Sequence, residues 1–116
     1  MPTANLKTNI RRIGSASIID IQGEVTGFAE GTLMDAYSEA SSDGAKAIIL
    51  NFSDLDYLNS SGIGLLVTML IRTQRQKQKL IACGLSEHYV EIFKLTRLDE
   101  AIGIYSTEAE SLTAAG

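Results

Sequence analysis

Among 116 residues there is one cysteine, Cys83, and one proline, Pro2. A lone thiol cannot close an internal disulfide and has no cysteine partner for a typical zinc cluster; the apolar run around Cys83 points to core packing. The proline lies outside every expected element, the 10 glycines are scattered at turn positions, and no linker or low-complexity segment divides the chain. Basic charge is also scarce. A net charge of −4 at pH 7 and a pI near 4.9 exclude a general electrostatic attraction to nucleic acid or anionic lipid. Met1-Pro2-Thr3-Ala4-Asn5-Leu6-Lys7 lacks the apolar core of a signal peptide, and no later apolar run is long enough to cross a bilayer. The expectation is a cytoplasmic protein without membrane insertion.

What is present is enough for one core. With 45% hydrophobic residues in a chain of this length, residues 1–116 read as a single domain. Leu6 to Ile13 and Ser15 to Gln22 read as two strands, with Gly14 marking a tight antiparallel turn; Gly23-Glu24-Val25-Thr26-Gly27 reads as a loop. Leu33, Ala36, Tyr37 and Ala40 recur at helical spacing, and Asp43-Gly44 reads as the stop. Ala45 to Phe52 holds Ala47-Ile48-Ile49-Leu50, a continuous apolar run of the kind found in a strand covered on both faces. After an expected connection from Asp54 to Gly62, the residues Ile63, Leu66, Met69 and Leu70 mark an apolar helix face, with Arg72, Arg75, Lys77 and Lys79 crowding its end. Leu80 to Leu85 reads as a short buried strand and Ser86 as the N-cap of a helix carrying Tyr89, Val90, Ile92 and Phe93, whose apolar side Leu95 and Leu98 continue. Ala101 to Tyr105 supplies a last strand, and Ser106-Thr107-Glu108 opens a C-terminal helix. Strands alternating with helices from Ala45 onward favour a mixed α/β sheet with parallel neighbours.

Several chemistries find little support. Gly62-Ile63-Gly64 lacks the remaining glycine and the lysine of common phosphate-binding loops. His88, the only histidine, is distant in sequence from Ser60 and Cys83, and the Gly-x-Ser-x-Gly pattern is missing. Asp54 and Asp56 lack the further acids and the spacing of a calcium loop, so turn formation or polar contact with a partner suits them better. No cofactor or metal is expected. The basic run from Arg72 to Lys79 has no interleaved aromatics and reads as a solvated helix end, with contact to an acidic partner or nucleic acid as the other reading.

The richest stretch is Asn51 to Gly64, which joins the buried strand to a helix through Ser60 and Ser61. Serine is a good N-cap, and Gly62 lets a chain turn sharply into a helix. A hydroxyl at a helix start is also a place where a phosphate would add close to two negative charges at one point. The residues leave both readings open.

Ala47-Ile48-Ile49-Leu50-Asn51-Phe52 followed by Asp56-Tyr57-Leu58-Asn59-Ser60-Ser61-Gly62-Ile63-Gly64-Leu65-Leu66 resembles the STAS domains of bacterial anti-sigma factor antagonists. The likeness continues through Leu80 to Leu85 and Ile92 to Leu98, and Gly23-Glu24-Val25 is similar to that family's Gly-Glu turn. The resemblance implies a single STAS-like α/β domain with a mixed sheet of about four to five strands and helices mainly on one face. It implies Ser60 as the phosphorylation site, with Ser61, Gly62, Asn59, Asp56 and Thr26 as partner-binding or turn residues. It further implies a non-enzymatic partner switch: the unphosphorylated protein binds an anti-sigma factor serine kinase, which phosphorylates it in turn, and a serine phosphatase restores it. Asn59 and Thr26 stand where many members of that family carry an acid or another polar residue. The alternatives are a STAS accessory subunit of a transporter or lipid-trafficking complex, and a small hydrolase or phosphotransfer enzyme centred on Ser60 or Cys83. Oligomeric state is not legible.

Overall fold

Five strands lie in the spatial order β1-β2-β3-β4-β5, the same as their order in the chain. The computed structural model describes residues 5–42 and 44–116. Residues 1–4, and Asp43 of the expected helix stop, lie outside it. Strand β1 (Leu6–Ile13) turns through Gly14, at φ +60°, into the antiparallel β2 (Ala16–Val25). From there each strand is parallel to its neighbour: β3 (Ala47–Leu58), β4 (Lys79–Cys83) and β5 (Gly103–Tyr105). Helices α1 (Glu30–Ala40), α2 (Ser60–Arg75) and α3 (Glu87–Leu95) form the three crossovers, and α4 (Glu108–Ala115) ends the chain. Short 3₁₀ turns occupy Gly27–Ala29 and Leu98–Glu100.

A steady march of strands with right-handed crossovers places every crossover helix on the same side of the sheet. The main core is therefore one layer: Leu33, Ala36, Tyr37 and Ala40 of α1, Leu65, Leu66 and Met69 of α2 and Phe93 of α3 pack on Ile19, Ile21, Ile48, Leu50, Leu80 and Ala82. Each large side chain fully buried here contributes about 1.5–3 kcal/mol. The other face holds a smaller cluster of Ala16, Ile18, Ala47, Ile49, Ile81 and Cys83, against which Leu112, Ala114 and Ala115 of α4 pack. Covering on both faces explains why Ala47–Leu50 is apolar without alternation. A reciprocal capping box between Thr107 and Glu110 starts α4. Arg11 on β1 ties that helix down by ion pairs to Asp20 of β2 and Glu108 of α4.

Several expected boundaries shift. The segment Gly23 to Val25 is strand, not loop: β2 runs on to Val25, and Gly23 adopts φ +108° with the Asn5 carbonyl so close that a Cβ would lie 2.1 Å from it. The expected connection from Asp54 is strand as far as Leu58. Its polar residues mislead because β4 pairs with β3 only as far as Asn51, and from Asp54 onward β3 pairs with β2 alone, leaving one side open to water. Helix α1 ends at Ala40 with Ser41 at its C-cap, earlier than the Gly44 stop. Lys77 and Lys79 fall beyond α2, and Leu95, expected on the apolar side of α3, is 76% exposed. On α2, Leu65 and Thr73 join the buried face, whereas Ile63 and Leu70 are only partly buried. Ser86 occupies the N-cap of α3 but its side chain makes no capping bond.

Candidate functional site

Strand β3 ends at Leu58 beside Val25, the last residue of β2. Asn59 follows in an extended conformation and donates its own N–H to the Val25 carbonyl at 3.3 Å. Its side-chain Oδ1 accepts the Gly62 N–H at 2.9 Å, and its carbonyl accepts from Ile63 at 2.9 Å. Asn59 is thus the N-cap of α2. The serines are not, contrary to the capping reading; they are the first two residues of the helix, both exposed. Neither hydroxyl has a hydrogen-bond partner among the described residues. The capping bond to a helix start is worth about 1 kcal/mol, so this end of α2 holds its shape without the serines.

Gly62 is required by proximity rather than by conformation. A Cβ there would lie 2.1 Å from the Val25 oxygen and 2.8 Å from Leu58 Cδ1. The first turn of α2 therefore presses directly on the end of β2. Thr26, the next residue, accepts the Phe28 N–H at 3.3 Å through Oγ1 and so caps the 3₁₀ turn. A Cβ on Gly27 would meet Ser61 Cβ at 3.4 Å, so this turn lies against α2. Thr26, Asn59, Ser60, Ser61 and Gly62 come together as one end of the domain. Asp56 does not join them: it is an exposed residue within β3, not in a turn, and it lines a shallow groove with Lys7 and Gln22 near the start of β1.

Three features go beyond the sequence reading. Phe28 is 66% exposed on the 3₁₀ turn. On α2, Ser60, Gly64, Val67 and Ile71 share one outward stripe, with Val67 and Ile71 exposed at 37% and 45%. That spacing of four, three and four residues was legible in the sequence. Tyr89 of α3, in contrast, reaches across to accept the Leu58 N–H at 3.0 Å, and nothing local signals it. Its ring packs edge to face with His88 at 5.0 Å.

The remaining candidates lie elsewhere. Cys83 is buried under α4, its Sγ 3.8 Å from Asn51 Oδ1, and burial pushes its thiol above the ordinary value, which keeps it protonated. Asp20, held by Arg11 and bonded by Asn51 and Asn9, is a carboxylate kept below its usual range mainly by the Arg11 guanidinium. Among the described residues no group of three or more His, Cys, Asp or Glu could hold a metal ion, and no helix is long and apolar enough to cross a membrane. Arg72 is no simple solvated helix end, since its guanidinium stacks on the Tyr37 ring at 4.8 Å.

The STAS domain family model matches residues 7–111. An anti-sigma-B factor antagonist from Staphylococcus aureus is 25% identical over 93 residues, spanning 79% of this chain and 86% of the relative. Among solved structures, an anti-sigma factor antagonist from Mycobacterium paratuberculosis superposes with a TM-score of 0.83 at 20% identity, covering 98% of each chain. A Bacillus cell fate determinant solved in its phosphorylated form superposes with a TM-score of 0.72 at 22% identity, covering 95% of this chain and all of the other.

Proposed function

Because the chain belongs to the STAS domain family, we propose that it is a partner-switching regulator, an anti-sigma factor antagonist whose binding is set by phosphorylation of Ser60. The single observation that carries this reading is the state of Ser60: an exposed hydroxyl without a partner, on the first turn of α2, at the head of the stripe through Gly64, Val67 and Ile71. Unphosphorylated, that stripe and Phe28 form the face offered to an anti-sigma factor serine kinase. The kinase moves the γ-phosphoryl group of ATP to Ser60 Oγ while the hydroxyl proton passes to a base on the kinase. A serine phosphatase hydrolyses the ester and returns the hydroxyl.

The same geometry rationalises release. Phosphate brings close to two negative charges, and α2 receives them at its N-terminus, where the helix dipole favours an anion. The fold tolerates the group, while an apolar partner surface packed over Val67 and Phe28 would have to desolvate it, which is costly. A hydrolase centred on Cys83 is disfavoured by the buried, protonated thiol, and Ser60 has no base within hydrogen-bond reach among the described residues.

The test is labelling by the cognate kinase with intact-mass measurement and residue mapping, followed by calorimetry of the partner with both forms. The expected result is one phosphate on Ser60, none on Ser60→Ala, weaker partner binding by the phosphorylated form and an unchanged circular dichroism spectrum. Phosphate mainly on Ser61, or equal affinity of the two forms, refutes the reading.

A further inference from the structure

The C-terminal end of α2 lies about 20 Å from Ser60 along the helix axis, and it builds a second polar site with α1. Tyr37, Ser38, Ser41 and Ser42 of α1 and its exit face Arg72, Arg75 and Gln76 across a cleft of about 370 Å³. Helix α2 contains no acidic residue, so neither arginine has an ion-pair partner on its own helix. Among the described residues the two salt bridges both belong to Arg11.

What distinguishes this cleft from a solvated basic patch is that its parts are held in place. The Tyr37 hydroxyl donates to Gln78 Oε1 at 2.7 Å, and Gln78 Nε2 donates in turn to Ser41 Oγ at 2.9 Å and to the Ala45 carbonyl at 3.0 Å. The ring that Arg72 stacks on is therefore locked. So is Ser41, whose oxygen already accepts a bond and whose proton is left to donate. Arg72 itself makes only a 3.4 Å bond to Ser38 Oγ and a 3.7 Å contact with Met34 Sδ, so most of its five donors remain unused. Of the carbonyls at the two helix exits, those of Tyr37 and Glu39 accept the Ser41 N–H and those of Arg72 and Gln74 accept the Gln76 N–H.

We propose that this cleft binds a small phosphate-bearing ligand, with Arg72 and Arg75 gripping the phosphate oxygens and the Ser38 and Ser41 hydroxyls donating to the same group. Two guanidinium forks and two hydroxyls together offer more donors than the roughly four acceptor sites on a carboxylate's two oxygens, whereas a phosphate offers three or more oxygens and close to two charges. This site is separate from Ser60 and its occupancy does not depend on the partner-switching reading.

The experiment is a nuclear magnetic resonance titration of the full chain with inorganic pyrophosphate at constant ionic strength, with succinate as the carboxylate control. Saturable shifts confined to Ser38, Ser41, Arg72 and Gln76, with succinate at least about tenfold weaker, are expected. Arg75→Gln, an exposed change that leaves the fold intact, should weaken pyrophosphate about tenfold, and Arg72→Lys, which keeps the charge but loses the planar fork and its stacking, should weaken it as well. Shifts that do not saturate or that spread equally over Lys46, Lys77 and Lys79, unchanged affinity in both variants, or succinate binding as tight as pyrophosphate would each overturn the proposal.

Discussion

The contact between α2 and the end of β2 can be tested with one substitution made at two neighbouring positions. Gly62 and Gly64 lie on the same helix, and in an open helix interior glycine to alanine stabilises by about 1 kcal/mol. At Gly64 a Cβ meets nothing within 4 Å, so Gly64→Ala should realise that gain. At Gly62 the new carbon would sit 2.1 Å from the Val25 oxygen, 1.3 Å inside the 3.4 Å of an ordinary contact, and 2.8 Å from Leu58 Cδ1. Carbonyl backbone cannot swing away as a flexible side chain can, so the helix start must move. Overpacking costs about 1–3 kcal/mol, and an approach this close to fixed backbone belongs at the upper end, about 3 kcal/mol; with the propensity gain of about 1 kcal/mol subtracted, a net loss of about 2 kcal/mol remains. For a chain of 116 residues about 4 °C accompanies each kcal/mol. Thermal melts should therefore show Gly64→Ala near +4 °C and Gly62→Ala near −8 °C. Two shifts of the same sign would refute the close approach of the first turn of α2 to the end of β2. Because Gly64 belongs to the exposed stripe, Gly64→Ala should also weaken partner binding although it stabilises the fold.

Asn59→Ala should cost about 1 kcal/mol through loss of the cap on the Gly62 N–H, whereas Asn59→Asp keeps an acceptor there and adds a charge the helix dipole favours, so its melting temperature should be unchanged or slightly raised; altered phosphorylation kinetics with the cognate kinase should be its main effect. Tyr89→Phe removes the oxygen that accepts the Leu58 N–H; a loss of about 1–2 kcal/mol and faster hydrogen exchange at the Leu58 amide are expected, and unchanged exchange would remove Tyr89 from the support of the Ser60 turn. Asp20 is held below its ordinary value of about 3.9 by Arg11, so its contribution is complete above that value and is lost as the pH falls through the depressed native pKa. In urea unfolding series between pH 6 and 2, Asp20→Asn should flatten the acid side of the profile, and a profile identical to that of the unchanged chain would refute the linkage.

Much of the architecture could be read from local pattern. Hydrophobic periods separated α1 and α2 from the strands, the apolar run Ala47–Leu50 announced a strand covered on both faces, and Ser106-Thr107-Glu108 marked the start of α4, because each of these signals lies within one element. The polar half of β3 was misread as a connection for a physical reason. Ser53, Asp54 and Asp56 face water where β4 has ended, so composition there reports exposure rather than backbone conformation.

The sequence by itself determined the fold class and the place of Ser60 at a helix start, since both rest on short-range spacing, and its motifs between Gly23 and Leu98 carried the resemblance to STAS domains. Only the tertiary structure decided what surrounds that serine. That Gly62 must lack a side chain because of the Val25 carbonyl, and that Tyr89 supports Leu58 from 31 residues away, both follow from where β2 and α3 come to rest. The stacking of Arg72 on Tyr37 and the clamp of Arg11 on Glu108, 97 residues apart, have the same origin. Such contacts join residues whose distance along the chain carries no pattern, and they exist only once parallel crossovers have brought the ends of separate elements together.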